Sequence, residues 1–153
     1  LKISTKGRYA LEAIVDLTLN SSDGHESLKN IAERRGFSEN YLEQIFVLLR
    51  KKNIVESIRG AQGGYRLSKD ASKITAGDII RATEGEVAVV PCANIAAMKK
   101  SKNQCDMFDM CVTKIFWGKL TKKIENMADS VTVADLVKAY NEMQAGPEIE
   151  YFI

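Results

Sequence analysis

Residues 37–67 read FSENYLEQIFVLLRKKNIVESIRGAQGGYRL, and two periodicities meet inside this stretch. From Glu39 to about Lys52, Leu42, Ile45, Phe46 and Leu49 recur three and four apart, the stripe of one helix face, and Ser38 is placed to cap it. At Ile54 the period changes. Ile54-Val55-Glu56-Ser57-Ile58 reads as a strand, Arg59-Gly60-Ala61-Gln62-Gly63-Gly64 as a glycine-rich basic turn, and Tyr65-Arg66-Leu67 as a returning strand. Just upstream, Ser27 caps a short helix from Leu28 to Arg35 that Gly36 stops. Only Gly36-Phe37-Ser38 joins the two helices. A short helix, a tight turn, a longer helix and a hairpin are the order of a helix-turn-helix followed by a wing.

Working outward, Tyr9, Leu11, Ile14, Val15, Thr18 and Leu19 predict a first helix, with Ser4-Thr5 as its cap and Asn20 to Gly24 as its end. Thr75 caps a helix that runs to about Thr83 and closes at Glu84-Gly85. Val87 to Val90 reads as short and extended, closed by Pro91. Val112 to about Met127 carries Ile115, Phe116, Leu120, Ile124 and Met127 on one side of a long helix, and Thr132 caps a last one containing Leu136, Val137 and Tyr140. No internal repeat is read. The expected fold is mainly α with a small β-hairpin wing. A winged helix-turn-helix DNA-binding domain covers 1–85 and a cysteine-bearing loop 86–111. A long helix and a C-terminal helix fill 112–145, and 146–153 form a tail.

Composition narrows the function. The chain has 153 residues, 45% hydrophobic and 27% charged, an ordinary balance for one packed domain. No apolar run approaches the roughly 20 residues that span a bilayer. Leu1-Lys2-Ile3-Ser4 does not open a signal peptide, so a cytoplasmic protein is expected. A net charge of +2 fits a solvated surface as well as a nucleic-acid partner. No phosphate-binding Gly loop, His-based triad or HExxH motif is present, which argues against an enzyme.

The second helix of a helix-turn-helix enters the DNA major groove. Ser38, Asn40 and Gln44 can hydrogen-bond base edges or phosphates there, and Tyr41 can reach a phosphate. Glu43 can accept from cytosine or repel phosphate and so discriminate between sites. Arg59 beside Gly60 opens the wing, where Gly60 and Gly64 allow close approach of backbone to DNA. Lys6 and Arg8 lie at the start of the first helix, whose free N–H groups favour phosphate. Arg34, Arg50, Lys51 and Lys52 are further candidates for phosphate. Each also has a plainer role: Ser38 as a cap, the glycines as a turn, the basic residues as a solvated helix end. The only histidine, His25, reads as a solvated loop residue.

All three cysteines, Cys92, Cys105 and Cys111, fall between Pro91 and Cys111. Three is an odd number, so a disulfide framework is not expected. Thiols used as small core hydrophobes would be scattered through helices, and this clustering favours ligands.

The stretches KGRYALEAIVDL, IAERRGFSENYLEQIFVLLRKKNIVESIRGAQGGYRLSKD and ITAGDIIRATEG resemble the Rrf-type winged-helix regulators, and the resemblance runs from Lys2 to about Tyr140. It implies a homodimeric bacterial DNA-binding transcription regulator, a repressor acting at roughly palindromic operators in double-stranded DNA. The helix Val112–Met127 would be the dimerisation helix. The pattern is most like the IscR-like branch, in which three cysteines hold an iron–sulfur cluster, and Cys92, Cys105 and Cys111 occupy that place. The cluster type, 2Fe-2S or 4Fe-4S, is not implied. Cys105-x5-Cys111 matches that branch, whereas the gap after Cys92 is longer by Ile95-Ala96-Ala97-Met98-Lys99-Lys100. Where IscR-like members have a fourth-ligand histidine, three residues past the last cysteine, this chain has Lys114. Where other members supply an acidic ligand from the partner's first helix, it has Arg8, with Glu12 one turn on. Glu12, Asp106, Asp109 or an external group are the remaining candidates. A zinc site, a thiol switch, or a cluster-free regulator sensing a partner protein are the alternatives.

Overall fold

A computed structural model describes residues 1–21, 23–94 and 105–146 of the chain. In order come α1 (Thr5–Asn20), α2 (Leu28–Arg35), α3 (Glu39–Lys51), β1 (Val55–Ile58), β2 (Gly64–Leu67), α4 (Ala76–Glu84), α5 (Thr113–Ser130) and α6 (Val133–Gln144), with single 3₁₀ turns at Ala71–Lys73 and Pro91–Ala93. This is the expected winged helix-turn-helix with two further helices. The long expected helix is displaced by a residue and extended to Ser130. Among the described residues Val87–Val90 pairs with no strand, and Val89 instead donates its N–H to the Thr121 hydroxyl at 3.2 Å. The insertion Ile95-Ala96-Ala97-Met98-Lys99-Lys100, with the rest of 95–104, and the expected tail beyond its first residue, Gly146, lie outside the described residues. No helix among the described residues is long and apolar enough to cross a membrane.

The helix-turn-helix is held by its connecting turn. Gly36 adopts φ +69°, the left-handed conformation that ends α2 and that a Cβ would disfavour. The next residue, Phe37, stacks on Tyr9 of α1 with centroids 3.9 Å apart. Ser38 then accepts from the Tyr41 N–H and starts α3. The core under this turn joins Ala10, Ala13, Ile14 and Leu17 of α1 to Ile31, Leu42, Ile45, Phe46 and Leu49, and to Ile54, Val55, Ile74, Ile79 and Val133. Each large side chain buried here contributes about 1.5–3 kcal/mol before entropy is counted. The buried face of α1 differs from the expected stripe. Gly7, Ala10, Ala13 and Leu17 lie inside with Ile14, whereas Leu11, Val15, Thr18 and Leu19 are half-buried flanks. Small residues carry little hydropathy, yet they are what lets α1 come close to its neighbours.

β1 and β2 pair antiparallel in the register Val55↔Leu67, Glu56↔Arg66, Ser57↔Tyr65 and Ile58↔Gly64. Glu26 adds a third edge, exchanging backbone hydrogen bonds of 2.9 and 2.8 Å with Tyr65. A Cβ on Gly64 would stand 2.2 Å from the Glu26 carbonyl oxygen, so glycine is required where this chain crosses the wing.

The C-terminal helices rejoin the first half through α4. Ala76 donates to the Val131 carbonyl and Val133 to the Ile74 carbonyl, both at 2.8 Å. Two capping boxes stand on this bridge, Thr75 with Asp78 and Thr132 with Asp135. The segments Ile74–Ile80 and Val131–Val137, ITAGDII and VTVADLV, are thus a short internal echo, contrary to the expectation of no repeat. Gly77 admits Asp129, whose carboxylate accepts from Arg81 at 2.6 Å.

Candidate nucleic-acid interface and cysteine segment

On α3, Asn40, Glu43 and Gln44 are exposed, as Ser38 is at its start. Asn40 and Gln44 are one turn apart on one face. Glu43 lines a groove with Glu39, Val47 and Arg50, across which stand Lys29 and Gly63-Gly64. Tyr41 is half-buried and meets Tyr9 edge-on at 6.1 Å, so its ring serves packing first. Ser38 spends its hydroxyl oxygen as the cap. Arg59 and Gly60 are exposed at the wing, with Gly60 at φ +123°. Gly64 is only half-exposed, and its contact with Glu26 supplies a structural reason for glycine.

Three expectations are corrected. The N-terminus of α1 is not open to phosphate: Glu84 Oε1 accepts from the Ser4 N–H at 3.2 Å and the Gly7 N–H at 3.0 Å, and the Ser4 hydroxyl donates to it instead of capping the helix. Half-buried Lys6 and exposed Arg8 remain beside that turn. Arg34 is already paired. It donates to buried Asp16 at 2.6 Å and to Glu26 at 2.8 Å, while Arg35 donates to Asp16 at 2.9 Å. The Asp16 hydrogen bonds hold the Arg34 guanidinium above its ordinary pKa. Burial pushes the Glu26 carboxyl up, but hydrogen bonds from Asn30, the Ser27 N–H and Arg34 outweigh it and hold Glu26 below its ordinary value. His25 is not free in its loop, since its Nε2 hydrogen-bonds the Gln62 carbonyl at the wing turn. The pattern that could have shown this is His25-Glu26 just before the Ser27 cap, with a wing still to come that needs a third edge. Arg50, Lys51 and Lys52 are exposed at the end of α3.

The cysteine segment is built differently. Cys92 sits on the 3₁₀ turn after Val90, Cys105 is exposed, and Cys111 lies two residues before the start of α5. All three are free thiols. Between the last two, buried Phe108 pins a tight turn. Lys114 Nζ donates to the carbonyls of Phe108 at 2.5 Å and Asp109 at 3.3 Å and lies 4.5 Å over the Phe108 ring. Lys114, three residues past Cys111, therefore closes the loop. A hydrogen bond with the Thr113 hydroxyl, the Lys114 and Thr113 N–H groups and the Lys114 charge hold the Cys111 thiol below its ordinary pKa. Such thiols suit the donor chemistry of an iron–sulfur group. Among the described residues, however, no three His, Cys, Asp or Glu side chains stand together as a metal site. Glu12 is exposed in a groove between α1 and α6 with Leu11, Val15, Leu136 and Tyr140.

Of α5, only Thr121 is buried. Val112, Ile115, Phe116 and Met127 are each more than half exposed. Phe116 packs on Trp117 edge-on at 4.9 Å and otherwise faces out.

Comparison with known proteins agrees with this architecture. The model of the Rrf2 family, described as an iron-dependent transcriptional regulator, matches residues 3–139. The HTH-type transcriptional regulator IscR of Yersinia enterocolitica is 40% identical over 137 residues, 90% of this chain and 79% of that protein. The solved structure of T. potens IscR superposes with a TM-score of 0.74 at 41% identity, covering 99% of this chain and 97% of the other. That of CymR, the global cysteine regulator of B. subtilis, gives 0.72 at 37%, covering 91% and 98%. The Yersinia relative is named as a transcriptional regulator and CymR as a global cysteine regulator, and neither is named as an enzyme. In sequence and in fold alike, the chain belongs to the Rrf2 family of winged-helix transcriptional regulators.

Proposed function

We propose that the chain works as a homodimeric repressor in the cytoplasm, binding a roughly palindromic operator in double-stranded DNA. The observation that carries the DNA reading is that Asn40 and Gln44, one turn apart on α3, and Arg59 at the wing turn are all exposed. In this reading Ser38, Asn40, Tyr41, Glu43 and Gln44 meet the major groove. Arg59, Gly60 and Gly64 present the wing, and Lys6 and Arg8 hold flanking phosphate. Glu43 acts by exclusion, because a carboxylate facing DNA penalises every site that offers it phosphate or a base acceptor. Dimerisation is supported by the uncovered apolar side of α5, which a second copy would bury.

Cys92, Cys105 and Cys111 would hold an iron–sulfur cluster, which when bound supplies a redox-sensitive group next to α5. The chain's own part is clearer. Phe108 and Lys114 fix the turn that carries Cys105 and Cys111, and Cys111 adjoins the start of the dimer helix. The fourth ligand in this reading comes from Glu12 of a partner copy, from Asp106 or Asp109, or from outside. Genes of iron–sulfur assembly or stress response are the matching targets.

A second reading keeps the same DNA surface but has no cluster, and senses a thiol-redox signal or a partner protein. Lys114 favours it, because its ammonium is committed to loop carbonyls.

One preparation made without oxygen tests both. Binding to duplex DNA that weakens steeply with salt is expected, and salt-independent or absent binding would defeat the regulator reading. Iron and acid-labile sulfide on the purified chain, lost in a C92A/C105A/C111A variant, support the cluster. A chain still colourless after reconstitution leaves the second reading.

A further inference from the structure

We infer that Glu84 is a positioning residue for DNA binding: from the last turn of α4 it fixes the first turn of α1, and with it Lys6 and Arg8. The inference rests on the reading that these two side chains meet the phosphates.

A helix begins with N–H groups that lack partners inside the helix. At the start of α1 two N–H groups are met from across the molecule, since one oxygen of Glu84 takes those of Ser4 and Gly7 and also the Ser4 hydroxyl. The fit leaves no slack. Gly7 is buried, and a Cβ there would stand 2.6 Å from that oxygen and 3.2 Å from Glu84 Cγ. The carboxylate is also in a poor place for its own helix. Glu84 is the last residue of α4, where the dipole disfavours negative charge. The favourable partner is the opposite pole, the start of α1.

α4 is itself held at its other end. Thr75 and Asp78 close its capping box, and Arg81 ties it to Asp129 of α5. It is thus a strut with α5 on one side and the α1 N-terminus on the other. Lys6 and Arg8 flank Gly7, so the bond to the Gly7 N–H sets where both side chains leave the backbone. Glu84 does not meet DNA in this arrangement; it acts through α1.

The test uses the full chain and a duplex that the protein selects from a random-sequence pool. Glu84→Ala should weaken binding by roughly three- to tenfold, the range of a lost helix cap. Glu84→Gln, whose amide oxygen can still accept from Ser4 and Gly7, should recover most of that loss. Gly7→Ala, which crowds the carboxylate out, should reproduce it and stands in if Glu84→Ala does not fold. Combining Glu84→Ala with K6A/R8A should cost little beyond K6A/R8A itself, and that coupling is what a merely structural cap would not show. Unchanged or tighter binding in both Glu84→Ala and Gly7→Ala, or losses that multiply fully with K6A/R8A, would overturn the inference while leaving the DNA reading intact. K6A/R8A binding as the parent does, with the same salt slope, would instead remove the contacts themselves and this inference with them.

Discussion

The two halves of the molecule are finished to different degrees. In the first, α1 to α4 enclose a core whose members Ala10, Ile14, Leu17, Ile31, Leu42, Ile45, Phe46, Leu49 and Ile79 are closed to solvent. Its helix starts are satisfied from within, by Ser27, Ser38, Thr75 and Glu84. In the second, α5 buries one threonine and leaves Phe116, Ile115 and Met127 outside. A region that closes its own surface can be stable by itself, and the apolar side left open on α5 is the one that the proposed second copy would cover. Damage to the first should therefore be felt as lost folding, and damage to the second as lost association or lost local order.

The strongest challenge to this contrast is a pair of phenylalanines. Phe46→Ala should cost about 3–5 kcal/mol in denaturant unfolding, the usual price of emptying a large core site. Phe116→Ala should leave unfolding of the dissociated chain within about 1 kcal/mol of the parent while shifting its mass in sedimentation towards monomer. Equal losses in the two would erase the distinction. Next in size is Gly64→Val. A side chain there must displace the Glu26 backbone, at a cost of about 2–4 kcal/mol, and DNA affinity should fall with it. A stable variant with full affinity would show that Glu26 is not part of the wing.

Acid sharpens the contrast further. Burial pushes the Asp78 carboxyl up, but the Thr75 hydrogen bonds and Arg81 outweigh it and hold it below its ordinary value, and Glu26 is likewise depressed. A depressed carboxylate adds stability above its unfolded pKa and loses it as pH falls through the folded one. Stability followed from neutral to acid should thus fall below the ordinary carboxylate range, and less steeply in Asp78→Asn. Identical acid profiles would remove Asp78 from this account. Lys114→Met should change only hydrogen exchange in 105–111, with the first half as protected as before; a global change would mean that the turn is part of the main core. Smallest of all, Arg66→Ala breaks an exposed pair with Glu56 and should move stability by less than about 1 kcal/mol.

The helix-turn-helix and wing were legible because their signals are local. Ser27, Gly36 and Ser38 punctuate the chain at the residues where the structure turns, and the shift from helical period to strand falls at Ile54. What escaped was non-local. Glu84 meets Ser4 across most of the domain's length in sequence, His25 meets a wing that has not yet been read, and Arg34 looks like any surface cation until Asp16 is seen beneath it. The cysteines were conspicuous as a cluster, yet their clustering in sequence did not foretell that Lys114 would occupy the carbonyls of their turn.

The attachment of α5 has one mechanical consequence. Its C-terminal end is clamped, by Arg81 on Asp129 and by the backbone bridge just past Ser130, whereas its other end begins two residues after Cys111. An 18-residue helix is about 27 Å long. Pivoting about the clamped end, a tilt of about ten degrees carries the far tip through about 5 Å. If the cysteine turn shifts, α5 transmits the shift as a lever whose fulcrum is this clamp, and the clamp bears directly on α4.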